Sequence, residues 1–451
     1  MTAKKSISKK TTAKKRKTPV RTTSETKTTI ETLPAVTSKR KTAIQPNKAT
    51  FELIKGGVTA AAGFNAGGVR AGIKSAKKTD LGAIVSDCPA DAAGVFTTNA
   101  LRAPSVDRCD ALLPYKGISA IICNAGCANS CTGAQGAHDN TLMATMAAEA
   151  LDIAPNSVLT ASTGVIGKFL PMKRIKAAMP KLMESLSPKA AGGTAFAQAI
   201  MTTDLVKKES AVHVKCGKLS FTIGATAKGA GMIHPNMATM LCFITTDVAI
   251  DRTLLDLAIK RVVKRTFNNL TIDGDTSTND MILAMANGAS GVELGRVSGD
   301  FKVFEDALFM LCDDLCKKLA ADGEGATKCI AVNVTGARTE DEAQMAAKAV
   351  AGSVLTKCAM FGNDPNWGRI ACAIGNSGAR ISRKNMAIDL CKIRVFESML
   401  PVEFNETRMQ SRLQKKEVSI DINLGLGIKE ATAYTCDFSY DYVKINAEYH
   451  T

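Results

Sequence analysis

Histidine is scarce in this chain of 451 residues: His138, His213, His234 and His450 are all it has. A Ser/Thr–His–Asp triad therefore has little material. No stretch approaches 18 uninterrupted apolar residues, and no apolar run follows the basic N-terminus, which disfavours membrane spanning and secretion. A Walker loop is missing, because Gly164-Val165-Ile166-Gly167-Lys168 lacks both the spacing and the following Ser/Thr. Gly229-Ala230-Gly231 lacks the third glycine of a dinucleotide fingerprint. Cofactor-free chemistry is the default, and no internal repeat is visible. The 14 cysteines hold one tight cluster, Cys123-x3-Cys127-x3-Cys131, which has neither zinc spacing nor a second histidine to match His138. Scattered thiols of this kind read as small buried apolar residues in a reducing compartment. The single tryptophan, Trp367, reads as core or interface.

The charge that is present is unevenly placed. Of 58 basic and 42 acidic residues, 14 basic and 2 acidic ones (Glu25 and Glu31) fall in residues 1–50. That segment therefore holds +12 of the formal +16, and the rest of the chain is nearly neutral at +4. Rich in Lys, Thr and Ser and nearly free of aromatics, residues 1–50 cannot bury enough surface to offset the entropy of ordering, so disorder is expected. A solvated appendage is the first reading. Contact with nucleic acid through KKTTAKKRK would be electrostatic and salt-sensitive, since no base-reading element accompanies it. An organelle transit peptide ranks last, because the lysine bias and the lack of an amphipathic face do not suit it.

Beyond residue 50, Gly- and Ala-rich segments alternate with short apolar runs. Ile118–Cys123 reads as a buried strand, Asn140–Leu151 as an amphipathic helix, and Phe304 to Leu319 as a helix on its spacing. Val418, Ile420, Ile422 and Leu424 alternate as a strand. The mixture is α/β, without the strict rhythm of a doubly wound sheet.

The richest segment is KGAGMIHPNMATML, residues 228–241. A strand-like run, Leu219–Gly224, precedes it, and another, MLCFITTDV, follows Thr239. A threonine there is a nucleophile only if a base activates it. Cutting the chain before Thr239 supplies that base, since the freed α-amine titrates near pH 8. Taken alone, the ATML string favours a threonine that merely fills a strand start. Ser162-Thr163-Gly164-Val165 likewise fits a helix-capping turn ahead of residues 168–173, and Lys228 fits a solvated loop lysine.

The whole 228–241 segment resembles the self-cleavage site of the ornithine acetyltransferases. So do GGVTAAAGFNAGGVRAGIK (56–74), SDCPADAAGVFTTN (86–99), ASTGVIG (161–167), MTTD (201–204), TIDGDTSTND (271–280), GEGATK (323–328), FGNDPNWGRI (361–370) and INAEYHT (445–451), in the family's order. The resemblance covers about residues 51–451. It implies an α/β fold of two β-sheet layers with helices outside, related to the amino-terminal nucleophile hydrolases. It also implies self-cleavage between Ala238 and Thr239, giving an α chain (51–238, behind the tail) and a β chain (239–451) that stay together, usually as a heterotetramer of two α and two β chains.

The activity implied is glutamate N-acetyltransfer in arginine biosynthesis, from N2-acetyl-L-ornithine to L-glutamate through an acetyl-Thr239 intermediate. By the same resemblance, Thr163 through its hydroxyl and Gly164 through its amide form the oxyanion hole, each donor worth about 3 kcal/mol. Lys228 pairs with the substrate carboxylate, and Glu324 helps hold the ornithine side or the amine. Thr202, or its neighbour Thr203, binds substrate, as do Asn446 and Thr451. TIDGDTSTND looks like a cation loop by composition but has no glycine at the sixth place and no closing Glu, so it reads as a structured turn near the site; no metal is expected. The motifs leave open whether acetyl-CoA is also an acetyl donor. The location implied is cytoplasmic, or mitochondrial if the tail is a transit peptide. Two rivals remain: an aminopeptidase or amidase of the related self-processing fold, and an inactive body led by a nucleic-acid-binding tail.

Overall fold

Continuous apolar runs mark the strands that are covered on both faces. LCFITT and MILAMA are buried at every position and form β8 and β10 at the middle of a large sheet. In chain order that sheet is built from β1 (Ala49–Ile54), β2 (Phe64–Val69), β3 (Leu81–Phe96), β4 (Tyr115–Cys127), β5 (Val158–Val165), β6 (Lys208–Cys216), β7 (Leu219–Lys228), β8 (Leu241–Thr246) and β10 (Met281–Ala286). The short β9 (Ala249–Ile250) pairs separately with β11 (Glu293–Leu294). The computed structural model describes residues 49–75, 77–217, 219–234, 240–295 and 298–448. The basic segment up to residue 48, Ala238, Thr239 and Thr451 therefore lie outside the described residues.

Spatial order in the large sheet is β1-β6-β7-β8-β10-β3-β4-β5, with β2 also on β3. Most neighbours run antiparallel, while β8–β10 and β4–β5 are parallel. β8 and β10 follow residue 239 and yet sit between strands that precede it: β7 on one side and β3 on the other.

Both faces carry helices. Helices α2 (Gly133–Leu151) and α3 (Met172–Glu184) pack against Leu81, Ala83, Ala120, Ile122 and Val158 of β3, β4 and β5. Helices α1 (Pro104–Leu112) and α4 (Ala190–Ile200) take the alternate residues and so cover the other side, where Phe196 of α4 meets Phe243 of β8 edge-on at 5.2 Å. On the opposite side α5 (Arg252–Arg265) and α6 (Ser298–Ala321) share a core with Ile223, Cys242, Ile244 and Ile282. The helical spacing read at Phe304, Leu308, Leu311, Leu315 and Leu319 is what α6 buries, all at 1% exposure or less.

The remaining chain makes a second sheet from β12 (Cys329–Ala337), β13 (Ala387–Leu390), β14 (Ile393–Glu397), β15 (Leu400–Pro401), β16 (Glu417–Asn423) and β17 (Lys429–Cys436), in the order β15-β14-β13-β16-β12-β17. Helices α7 (Glu340–Ala351), α8 (Val354–Phe361), α9 (Trp367–Gly375) and α10 (Glu406–Leu413) cover it, and α11 (Tyr440–Glu448) ends the described chain. Trp367 stacks on Phe396 at 5.1 Å and packs against this second core. Tyr434 and Cys436 of β17 join the α6 core, so α6 packs against strands of both sheets. The α/β class read from the sequence is the class observed. Helix α2 begins seven residues before Asn140, because its first turns pack through small Gly and Ala residues that give no apolar period. Among the described residues no helix is long and apolar enough to cross a membrane.

Candidate active site

A cavity of about 150 Å³ opens where the ends of β5 and β7, the start of β8 and helix α11 converge. Thr163, Gly164, Thr202, Lys228, Glu324 and Asn446 all line it. These six come from five separate stretches of sequence. Met240, the residue that follows Thr239 in the chain, lines it as well.

Lys228 is the hub. Its Nζ donates to Thr163 Oγ1 at 3.0 Å and to Thr202 Oγ1 at 2.9 Å. An ammonium has three donors, so a third remains. Lys228 is the last residue of β7 and not a loop lysine, and its pairing with Leu241 of β8 fixes its backbone. Thr203 also lines the cavity, but the hydroxyl that meets Lys228 belongs to Thr202.

Thr163 and Gly164 lie inside β5, at a register irregularity opposite Gly126 and Cys127. They do not cap a helix, since the residue before α3 is Pro171 and no side chain caps it. Gly164 has φ +125°, and a Cβ there would fall 2.5 Å from the Gly126 carbonyl carbon. Only glycine fits both the conformation and the space. Asn279 Nδ2 donates to the carbonyls of Ala128 at 2.6 Å and Ser162 at 2.9 Å, which fixes this strand end from behind.

Glu324, 9% exposed, reaches the cavity from the loop after α6. Its amide donates to the Ala230 carbonyl at 2.8 Å, and a Cβ on Gly231 would sit 2.4 Å from its carboxylate. The glycines of the 229–231 loop thus let backbone and carboxylate approach. Asn446 Nδ2 donates to Glu324 Oε2 at 2.9 Å, so α11 folds back onto the site.

Several contributing residues were not singled out as site residues from the sequence. Asp204 is buried; it accepts from the Thr202 amide at 2.9 Å, the Gly229 amide at 2.7 Å and Lys208 Nζ at 2.6 Å. Burial alone would raise its pKa, but the Lys208 and Lys228 charges and the hydrogen bonds overcome that and hold it at about 2. Asp273 accepts from the Met232 and Ile233 amides at 2.6 and 2.8 Å, which anchors the chain just ahead of the 235–239 segment. The TIDGDTSTND turn therefore does stand at the cavity. Tyr442 of α11 lines it too.

Asp280 is the outlier of this group. It lines the cavity, and its neighbour Met281 donates its amide to Met240 O at 3.0 Å. Desolvation pushes its carboxyl well above the usual range, only partly opposed by Lys228. A carboxyl whose folded pKa is raised keeps its proton in the folded state while the unfolded state releases it. Stability is then full below the unfolded value and falls as pH rises towards the folded value. Asp280→Asn should flatten that decline, so its melting temperature between pH 5 and 9 should fall less than the wild type's; parallel curves would disprove a neutral Asp280.

A model of the ArgJ family matches residues 65–451. The arginine biosynthesis bifunctional protein ArgJ of Symbiobacterium thermophilum is 47% identical over 404 residues, covering 89% of this chain and 100% of that protein. Among solved structures, the arginine biosynthesis bifunctional protein ArgJ of Bacillus halodurans is 44% identical, covers 46% of this chain and 98% of the solved chain, and superimposes with a TM-score of 0.45. The ornithine acetyltransferase of Mycobacterium tuberculosis, solved with ornithine, is 39% identical, covers 42% of this chain and 100% of the solved one, with a TM-score of 0.40. Several of its motifs meet at one cavity, and with the family match spanning residues 65–451 and a relative 47% identical over 404 residues, the chain belongs to the ArgJ family.

Proposed function

We propose that this chain is a glutamate N-acetyltransferase of arginine biosynthesis. It moves the acetyl group of N2-acetyl-L-ornithine to L-glutamate through an ester on Thr239. The observation that carries the reading is the Lys228 hub, which joins two hydroxyls beside the residue that follows Thr239.

Lys228 occupies an acceptor position on Thr163 Oγ1, so the hydroxyl's own proton is left to point elsewhere. Thr163 can therefore donate to an oxyanion, beside the Gly164 amide. In the proposed sequence the Thr239 hydroxyl first attacks the Ala238 carbonyl, and an N-to-O shift followed by hydrolysis frees the Thr239 amine. That amine then takes the proton from the Thr239 hydroxyl as it attacks the acetyl carbonyl. The proton passes to the departing ornithine nitrogen. Glutamate's amine attacks the ester in the second half, returning the proton to the Thr239 oxygen. Lys228's third donor suits the substrate carboxylate, and the Glu324 carboxylate, held by Asn446, suits the ornithine amine. No cofactor is called for, and acetyl-CoA is a candidate second donor for the same ester. The α and β chains remain associated, as an α2β2 heterotetramer, in the cytoplasm.

The test is ornithine release from N2-acetyl-L-ornithine with and without glutamate. Release that depends on glutamate, with acetylglutamate formed in equal amount, supports transfer. Equal release into water alone would make the protein an amidase, and no release would leave an inactive body.

Asn446 and Thr451 imply a second expectation. Fusing a bulky tag to the C-terminus should lower acetyl transfer at least about tenfold by displacing α11, while the same tag on the N-terminus should leave the rate unchanged. Equal rates from the two fusions would remove the C-terminus from the site.

A further inference from the structure

We propose that a second, larger cavity in this protein binds a small anion carrying two or more phosphate groups. The cavity, about 860 Å³, lies where α6, the start of β12, the β13–β14 turn and the end of α10 meet. Seven of its lining residues are cationic and only Asp314 and Glu417 are acidic. Residues 51–451 carry just +4 in total, so five excess positive charges in one concavity are a concentration and not the average of the surface.

Some of these cations are already engaged. Lys317 and Lys318 have Asp313 and Asp314 as partners, and Lys328 donates to the Met360 carbonyl and to Asn363 Oδ1. Lys392, Lys415 and Lys416 have no ion pair among the described residues. Arg412 spends one N–H on the Cys391 carbonyl, and a guanidinium has five.

The backbone under these side chains is fixed in advance. Arg412's bond ties α10 to the β13–β14 turn, and the Cys391 amide donates to the Ser419 carbonyl at 2.8 Å. The Lys416 carbonyl accepts from the Cys329 amide at 2.8 Å. Exposed lysines are most often a solvated face, but here a fork and three ammonium groups line one walled space. That is the donor set that phosphate oxygens satisfy.

The size and the missing stacking surface narrow the ligand. The cavity is far larger than one inorganic phosphate and falls within the usual range for small-molecule sites. Its one aromatic, Tyr434, is buried and gives its hydroxyl to Asp313 at 2.9 Å, so no open ring face awaits a base. A compact polyphosphate or a doubly phosphorylated metabolite fits this chemistry better than single-stranded nucleic acid, which uses aromatic platforms. The same loop serves both cavities: Glu324 lines the acetyl-transfer site, and Ala326, Thr327 and Lys328 line this one.

Calorimetric titration of the full chain with inorganic pyrophosphate tests the assignment. Saturable one-to-one binding is expected, weakened by added salt. In a Lys392→Glu/Lys415→Glu/Lys416→Glu variant it should weaken at least about tenfold, with the melting temperature and the acetyl-transfer rate unchanged. Because the basic N-terminal segment also attracts anions, binding that survives the triple substitution unchanged would overturn the proposal. So would the absence of saturable binding, or a single-stranded oligonucleotide that competes from this cavity more tightly than pyrophosphate does.

Discussion

Thr239→Ala should give a single uncut chain of 47.5 kDa on a denaturing mass spectrum, where the wild type gives two fragments, the smaller beginning at Thr239. One substitution removes both the hydroxyl that attacks Ala238 and the ester-forming group of turnover, so acetyl transfer should fall by about 10³ or more. Thr239→Ser separates the two losses, because a serine keeps the hydroxyl and the amine and should still cut and transfer, more slowly. Cutting of the Ala variant at the same bond would assign the cleavage to another agent and remove Thr239 from the centre of the mechanism.

The second large effect concerns stability. Lys208 is fully buried and lies between Asp204 and Asp322, whose Oδ2 also accepts from the Leu205 and Val206 amides. Removing one partner of such a group leaves a buried charge undercompensated, typically at a cost of about 3–5 kcal/mol. Asp204→Asn should therefore lower the melting temperature by roughly 4 °C for a body of this size. It should also weaken transfer, because Asp204 holds the amides of both Thr202 and Gly229. The pH dependence has a definite sign. Asp204 is held at about 2, below its unfolded value near 3.9, so its contribution is complete above pH 4 and is lost as pH falls towards 2. The Asn variant should lack that part of the acid limb. An unchanged melting temperature and acid limb would show that the trio is not a structural clamp.

Much of the site was legible because its chemistry sits in short motifs. Thr163-Gly164, Thr202, Lys228 and Glu324 each lie in a Gly- or Thr-rich string whose composition already signals a tight turn or close approach, and the cavity brings them together with Asn446. Strands and helices with a clear apolar period were legible too, α6 above all. Partnerships across the chain were not. Asp204 looks like an ordinary loop acid until Lys208 bonds it and Asp322, 114 residues on from that lysine, closes the trio. Asp280 looks like one more carboxylate in a polar turn, and only its burial at the cavity pushes its pKa up. Strand order was hidden for the same reason, since period-2 patterns say which residues face a core but not which strand lies alongside.

The position of β8 and β10 between β7 and β3 bears on what the proposed self-cleavage would do to the protein. A single covalent chain can unfold and find its way back alone, at a rate that ignores concentration. With the bond before Thr239 cut, the middle of the large sheet would belong to a different molecule from its two wings. Refolding then requires two polypeptides to meet, each bearing bare strand edges that pair with any similar edge. Maturation would thus convert a reversible folding problem into a second-order one in which aggregation competes. The working enzyme would be preserved by slow unfolding more than by ready return, and the precursor would be the one form able to build that sheet by itself.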